Sequence, residues 1–173
     1  MNNKTIRSIK GTQDILPEES IKWQSLENEI RKITSQYGYE EIRTPAFEQT
    51  KLFSRGVGEE TDIVSKEMYS WTDQGGENLT LKPELTASVA RAYIQHNLGL
   101  VSPVNKLYYI DALFRRERPQ KGRYRQFHQF GVEAFGSEHP EIDAEVIALA
   151  ISIFYSVGLE ELQLNINSIG SPE

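Results

Sequence analysis

The residues best equipped to hold an anionic ligand crowd into one stretch, Lys106–Gly136, which reads KLYYIDALFRRERPQKGRYRQFHQFGVEAFG. Between Arg115 and Arg125 stand Arg115, Arg116, Arg118, Lys121, Arg123 and Arg125, six of the 19 Lys and Arg of the chain, with Glu117 the only acid among them. The chain as a whole is acidic, at net −6. A focused positive loop on an acidic protein suits a polyanion such as a nucleotide or an RNA backbone.

The flanks of that loop read as strands. Lys106–Phe114 is rich in Tyr, Leu, Ile and Phe, the residues a pleated surface accommodates well. Beyond the loop the residues alternate. His128, Phe130, Val132 and Ala134 fall on one face of a strand, and Arg125, Phe127, Gln129, Gly131, Glu133 and Phe135 on the other. The first set reads as a core face. The second reads as a ligand floor: Arg for phosphate, Phe for a base, Gln and Glu for a small polar substrate. A plain hairpin with one wet face and a solvated basic loop is the competing interpretation, because charge runs usually face water.

Elements able to position this hairpin follow from periodicity. After an extended leading segment at 6–16, Pro17–Tyr37 predicts a helix. Its apolar stripe is Trp23, Leu26, Ile30, Ile33 and Tyr37, with Pro17, Glu18 and Glu19 in the first turn and Gly38 as the stop. Tyr39–Phe47 predicts a strand broken by Pro45, which cannot donate to a ladder. Thr50–Val57 suits a short helix, and Ser54–Asp62 a polar loop. Lys66–Asp73 and Asn78–Leu81 suit a hairpin around Gln74-Gly75-Gly76. A helix is expected from Pro83 through Asn97, and another over His139–Val157 with Ile142, Val146, Leu149 or Ala150, and Ile153 on one side. The alternation of Leu162–Ile169 predicts a final strand. Antiparallel hairpins mixed with helices argue for an α+β fold rather than a doubly wound parallel sheet.

Composition narrows the class. At 173 residues the chain can bury a core of its own, and 38% hydrophobic with 25% charged residues fits a globular domain. No apolar run approaches the ~18 residues of a membrane span, and the first ten residues lack the apolar stretch of a secretory signal. There is no cysteine, so neither disulfides nor a thiolate metal site can form. His96, His128 and His139 have no metal-ligand spacing, and no protein-held metal is expected. A cytoplasmic protein that touches no membrane is the expectation.

The run FRRERPQKGRYRQFHQFGVEAFG resembles motif 2 of class II aminoacyl-tRNA synthetases, in the form found in histidyl-tRNA synthetases. The likeness extends from KGTQDILP at Lys10 to NSIGSPE at the end of the chain. It implies an antiparallel sheet flanked by helices, the class II catalytic core, here incomplete. It also implies a cytoplasmic ligase of protein biosynthesis, with histidine, ATP and tRNA(His) as substrates and Mg²⁺ arriving with ATP. Histidine's carboxylate would attack the α-phosphate of ATP, and the histidyl group would then pass to the terminal ribose of the tRNA.

By the same resemblance, Arg115 is the catalytic arginine that holds both the substrate carboxylate and the α-phosphate. Glu117 would meet the adenine amino group, Arg123 the outer phosphates, and Phe127 the adenine ring. Glu84 and Thr86, in LKPELT, would meet the α-ammonium of histidine together with Gln129, and Glu133 would accept from its imidazole. Gln120 and Lys121, at the loop tip, would approach the tRNA acceptor end, where an ordinary mobile loop is the alternative. Glu84 has an alternative too, as an acid in the first turn of a helix, favoured by the dipole. A carboxylate such as Glu133 on a buried strand needs a partner in any case.

Tyr37–Phe47 resembles motif 1, which in the family builds the interface of a homodimer. Many relatives have arginine at Lys82 and glycine at Leu85, so Leu85 would either narrow the pocket or point into the core. No Lys or Arg follows Arg125. Motif 3 with its arginine and the histidine-specific segment with its own are therefore expected to be absent from these residues, the resemblance implies the same of the anticodon-binding domain, and the 173 residues are expected to be catalytically silent by themselves. Two rivals stand beside this assignment. One is the synthetase-like regulatory subunit of ATP phosphoribosyltransferase, which tends to lose the intact catalytic set. The other is a pure RNA-binding module.

Overall fold

Helices cover both faces of a central hairpin. The computed structural model describes residues 5–57 and 67–167. Residues 58–62 of the predicted loop Ser54–Asp62, the start of the hairpin at Lys66 and everything from residue 168 onward lie outside these residues, while 54–57 of that loop are helical.

Helix α1 (Pro17–Gln36) begins with Pro17 and carries Glu18 and Glu19 in its first turn, where the missing N–H and the negative charge both cost least. It leads through Gly38 into β1 (Glu40–Glu41), then β2 (Phe47–Gln49) and α2 (Thr50–Val57). A hairpin of β3 (Ser70–Thr72) and β4 (Asn78–Leu81) follows, then α3 (Thr86–Gln95) and the single turn α4 (Leu98–Val101). Strands β5 (Asn105–Phe114) and β6 (Gln126–Phe135) flank the basic loop, and α5 (Pro140–Ser156) closes the regular structure.

The strands form two three-stranded sheets, in the orders β1-β5-β6 and β2-β4-β3. Pro45 lies between β1 and β2, where the chain leaves one sheet for the other. The long pair β5–β6 is antiparallel, as expected, with Leu113 opposite Phe127, Asp111 opposite Gln129, Tyr109 opposite Gly131 and Leu107 opposite Glu133. The short β1 joins β5 in parallel, so the sheet bearing the basic hairpin is mixed.

Each face of β5–β6 has its own core. Tyr108, Phe130 and Val132 pack with Ile30 and Ile33 of α1 and Leu149 and Ile153 of α5. This is the face predicted from the even-numbered residues, with one correction: His128 is exposed, its ring 4.7 Å from that of Trp23. On the other face Leu107, Tyr109 and Leu113 pack with Leu85 and with Val89 of α3, and Phe127 and Phe135 lie against them. Each such side chain stabilises the fold by roughly 1.5–3 kcal/mol when fully buried. The predicted ligand floor is therefore a core along part of its length. Leu85, 1% exposed, belongs to that core.

The helix expected from Pro83 begins later, at Thr86, and breaks at Asn97, whose φ is 51°. No strand forms over 162–167, the described part of the predicted Leu162–Ile169; these residues run exposed and belong to neither sheet. Alternation assigns two faces to a strand but does not supply a neighbour to pair with.

Candidate active site

The segment Lys82–Leu85 joins the two sheets and thereby builds the site. The N–H of Lys82 donates to Ala46 O at 3.1 Å, and Lys82 O accepts from Phe114 N at 3.0 Å, at the end of β5. Pro83 O accepts from Arg115 Nε at 2.9 Å. Two consecutive carbonyls thus fix both the backbone that leads into the basic loop and the Arg115 guanidinium. That guanidinium lies over the Phe127 ring, 5.1 Å from its centroid, a cation–π contact that also limits its rotation.

Glu84 sits at the start of α3. Its two carboxylate oxygens accept from Ala87 N, each at 3.2 Å, in the manner of an acid at a helix N-terminus. Burial pushes its carboxyl above the ordinary carboxylate range. The N–H groups of Ala87 and Thr86 pull it back, the Glu133 charge adds to the rise, and Arg115 opposes it. Glu84 therefore lies within the electrostatic reach of both Glu133 and Arg115. The helix-start role and the place among the site residues coexist.

Glu133 is partnered, as its position on a strand between two helix layers requires. Its Oε1 accepts from Thr86 Oγ1 at 2.7 Å and from Tyr109 Oη at 3.3 Å. Gln129 lies across the pair from Asp111, and its side-chain amide makes no hydrogen bond among the described residues. A small ligand over this face would meet an amide, a carboxylate and the Thr86 hydroxyl on one side and a guanidinium backed by an aromatic ring on the other.

The basic loop is anchored at both ends and open at its tip. Arg115 N donates to Arg125 O at 2.9 Å, and Arg125 N donates to Gly11 O at 2.7 Å. Gly11 has φ +93°, and a Cβ there would come within 2.9 Å of Arg125 Cγ and Pro119 Cγ. Glycine is thus demanded twice at this position, by backbone conformation and by space. Glu117 and Arg123 form an ion pair at 3.4 Å, so two residues expected to bind opposite ends of ATP lie side by side. Gln120 and Lys121 are exposed, in a turn closed by Gln120 N to Arg123 O at 3.3 Å and Arg123 N to Gln120 O at 2.9 Å.

Thr86 and Glu133 are therefore brought together, as are Arg115 with Phe127 and Glu117 with Arg123. Gln120 is tied to Arg123 through the backbone only, and Gln120 and Lys121 are both exposed. Three contributors escaped the sequence reading. Tyr109 reaches Glu133, Asp111 holds the buried Lys82 in an ion pair, and Gly11 supports the loop. A glycine inside β6 was the available signal for the first, since a strand glycine often marks a close approach. A depression of about 660 Å³ lies elsewhere, between α2 and β3 beside Thr50, Ser54 and Trp71.

A profile described as Histidyl-tRNA synthetase matches residues 11–170. The chain belongs to the histidyl-tRNA synthetase family. It is 59% identical over 164 residues to a histidine–tRNA ligase of Desulforamulus reducens, a match covering 95% of this chain and 39% of that protein. The crystal structure of apo S. aureus histidyl-tRNA synthetase matches at TM-score 0.76 and 45% identity, over 90% of this chain and 36% of that one. A Bacillus halodurans protein described as an ATP phosphoribosyltransferase regulatory subunit/histidyl-tRNA synthetase matches at TM-score 0.77 and 28% identity, over 92% of this chain and 40% of that one. The chain thus spans 39–40% of the length of the curated synthetase-family relatives it matches. These likenesses agree with the α+β fold of small sheets flanked by helices. Among the described residues no helix is long and apolar enough to cross a membrane.

Proposed function

We propose that the protein of which this chain is part ligates histidine to tRNA(His) through histidyl-adenylate, in the cytoplasm. The chain would supply the N-terminal part of the catalytic domain, with motif 1 at 37–47 and motif 2 at 106–136. In the first step a carboxylate oxygen of histidine attacks the α-phosphorus of ATP. The bond to the bridging oxygen breaks, and pyrophosphate leaves with the electron pair. In the second, a hydroxyl of the terminal ribose of the tRNA attacks the activated carbonyl and AMP leaves.

Charge accumulates on the α-phosphate in the first step, and a cation held rigidly beside it contributes most. Arg115 has that rigidity, fixed by Pro83 O and by the Phe127 ring; this is the single observation that carries the reading. Phe127 would offer its other face to adenine, Glu117 would take the adenine amino group, and Arg123 would swing from Glu117 to the outer phosphates. Glu84, Thr86 and Gln129 would hold the α-ammonium, and Glu133 the imidazole. Mg²⁺ would enter with ATP as part of the substrate; among the described residues no three His, Asp or Glu gather to hold an ion. Gln120 and Lys121, both exposed, would meet the acceptor end of the tRNA.

The test is amino-acid-dependent ATP–pyrophosphate exchange by the full-length protein. Histidine alone among the amino acids should support exchange. No exchange with any amino acid would favour the regulatory-subunit reading, which the likeness to the Bacillus halodurans protein keeps open. A homodimer through the motif 1 region belongs to the same reading. Phe47 and Trp71 support it, left 49% and 41% exposed and in edge contact at 5.8 Å. Sedimentation should show a dimer at micromolar concentration; a monomer would contradict it.

A further inference from the structure

We infer that Tyr109 is a positioning residue for Glu133, the carboxylate that would receive the histidine imidazole, seated by the absence of a side chain at Gly131; this rests on the reading of Glu133 given above. Tyr109 is 4% exposed, within the core shared by Leu85, Val89, Leu107 and Leu113. Its β6 neighbour is Gly131. A Cβ on Gly131 would stand 2.3 Å from the Tyr109 hydroxyl oxygen, 2.4 Å from Cζ and 2.6 Å from Cε2. The ring therefore occupies the space a side chain at residue 131 would fill. Lying there, it points its hydroxyl along β6 by one same-face step, to Glu133.

The hydroxyl donates to Glu133 Oε1, the same oxygen that accepts from Thr86 Oγ1. Oε2 takes no hydrogen bond among the described residues. One oxygen is thus satisfied by two neutral donors, and the other is left for a donor from outside. Two bonds to one oxygen also fix the carboxylate plane. A site of this form accepts a single N–H in a set direction, which suits an imidazole N–H and suits a spreading ammonium less well. Burial, and then the Glu133 charge, hold the Tyr109 hydroxyl at about 12, so it remains a donor across neutral pH.

The test uses the full-length protein with ATP–pyrophosphate exchange as readout. Tyr109→Phe removes the hydroxyl and keeps the ring. A hydrogen bond to a charged group suggests a KM for histidine raised by about tenfold or more, with the KM for ATP and the melting temperature close to wild type. Combining it with Glu133→Gln should add little further, because both changes act on one contact. Gly131→Ala, which keeps the hydroxyl but displaces it, should raise the same KM; it also serves if Tyr109→Phe does not fold.

A KM for histidine that rises in Glu133→Gln but stays at wild type in Tyr109→Phe or Gly131→Ala would overturn the positioning role alone. A KM for histidine unchanged in Glu133→Gln would overturn the assignment of Glu133 and this proposal with it. Additive effects of Tyr109→Phe and Glu133→Gln, with the KM for ATP raised as much as that for histidine and the melting temperature lowered, would make Tyr109 a core residue only.

Discussion

The ammonium of Lys82, a residue only 2% exposed, is ion-paired with Asp111 on strand β5 of the other sheet. Lys82 Nζ also donates to Thr44 O at 3.3 Å, and Asp111 Oδ1 accepts from Ala112 N at 2.7 Å. The two charges are unequally placed, since the Asp111 side chain keeps 30% of its surface. Removing the acid strands a buried cation; removing the cation leaves an acid that water can reach. Asp111→Asn should therefore destabilise by about 3–5 kcal/mol, as for a broken buried pair, and Lys82→Met by less. Thermal unfolding of the two variants checks the order. A larger loss for Lys82→Met would contradict it.

Gly11 predicts a second effect, at a distance from any ligand. Gly11→Ala forces a side chain into a left-handed backbone, at a cost of about 1–3 kcal/mol, and pushes on Arg125 and Pro119. The displaced groups belong to the arm that carries Arg123 and leads to Phe127. The KM for ATP should rise several-fold while that for histidine stays near wild type. Exchange kinetics with each substrate varied in turn make the check; a wild-type KM for ATP would show that the loop does not depend on Gly11.

Glu84 gives the pH dependence. Its carboxyl is raised, mainly by burial, so the folded state favours the protonated form more than the unfolded chain does. The associated stability is fully present below the ordinary carboxylate range and is lost as pH rises through the raised value. Glu84→Gln keeps an acceptor for Ala87 N without the charge. The melting temperature of wild type relative to Glu84→Gln should fall as pH rises through the upper carboxylate range, and level off towards neutrality. A relative rise with pH would mean that the N–H groups and Arg115 outweigh burial.

Much of this arrangement was legible in the residues. The period of two in Gln126–Phe135 separated the Phe130 and Val132 face from the Gln129 and Glu133 face, and the stripe Ile30–Ile33 marked the buried side of α1. Those patterns are local. What escaped depends on which strand lies opposite which. Tyr109 looked like one aromatic among several until the register put Gly131 beneath it. Lys82 reads as a surface charge unless Asp111 is known to face it. The Gln129 and Glu133 face read as a ligand floor along its whole length because α3 could not be foreseen to cover part of it. The alternation of Leu162–Ile169 misled for the same reason, since no described strand lies alongside residues 162–167.

The most decisive measurement compares histidine-dependent ATP–pyrophosphate exchange in the full-length protein and its Arg115→Ala variant, with tRNA binding measured beside it. Loss of one charge-assisted contact at a developing charge costs about 3–4 kcal/mol, or roughly 10²–10³ in rate. The expected result is a fall in exchange of that size with tRNA affinity nearly unchanged. An exchange rate close to wild type would contradict the assignment of Arg115, and with it the placement of adenylate formation at this hairpin.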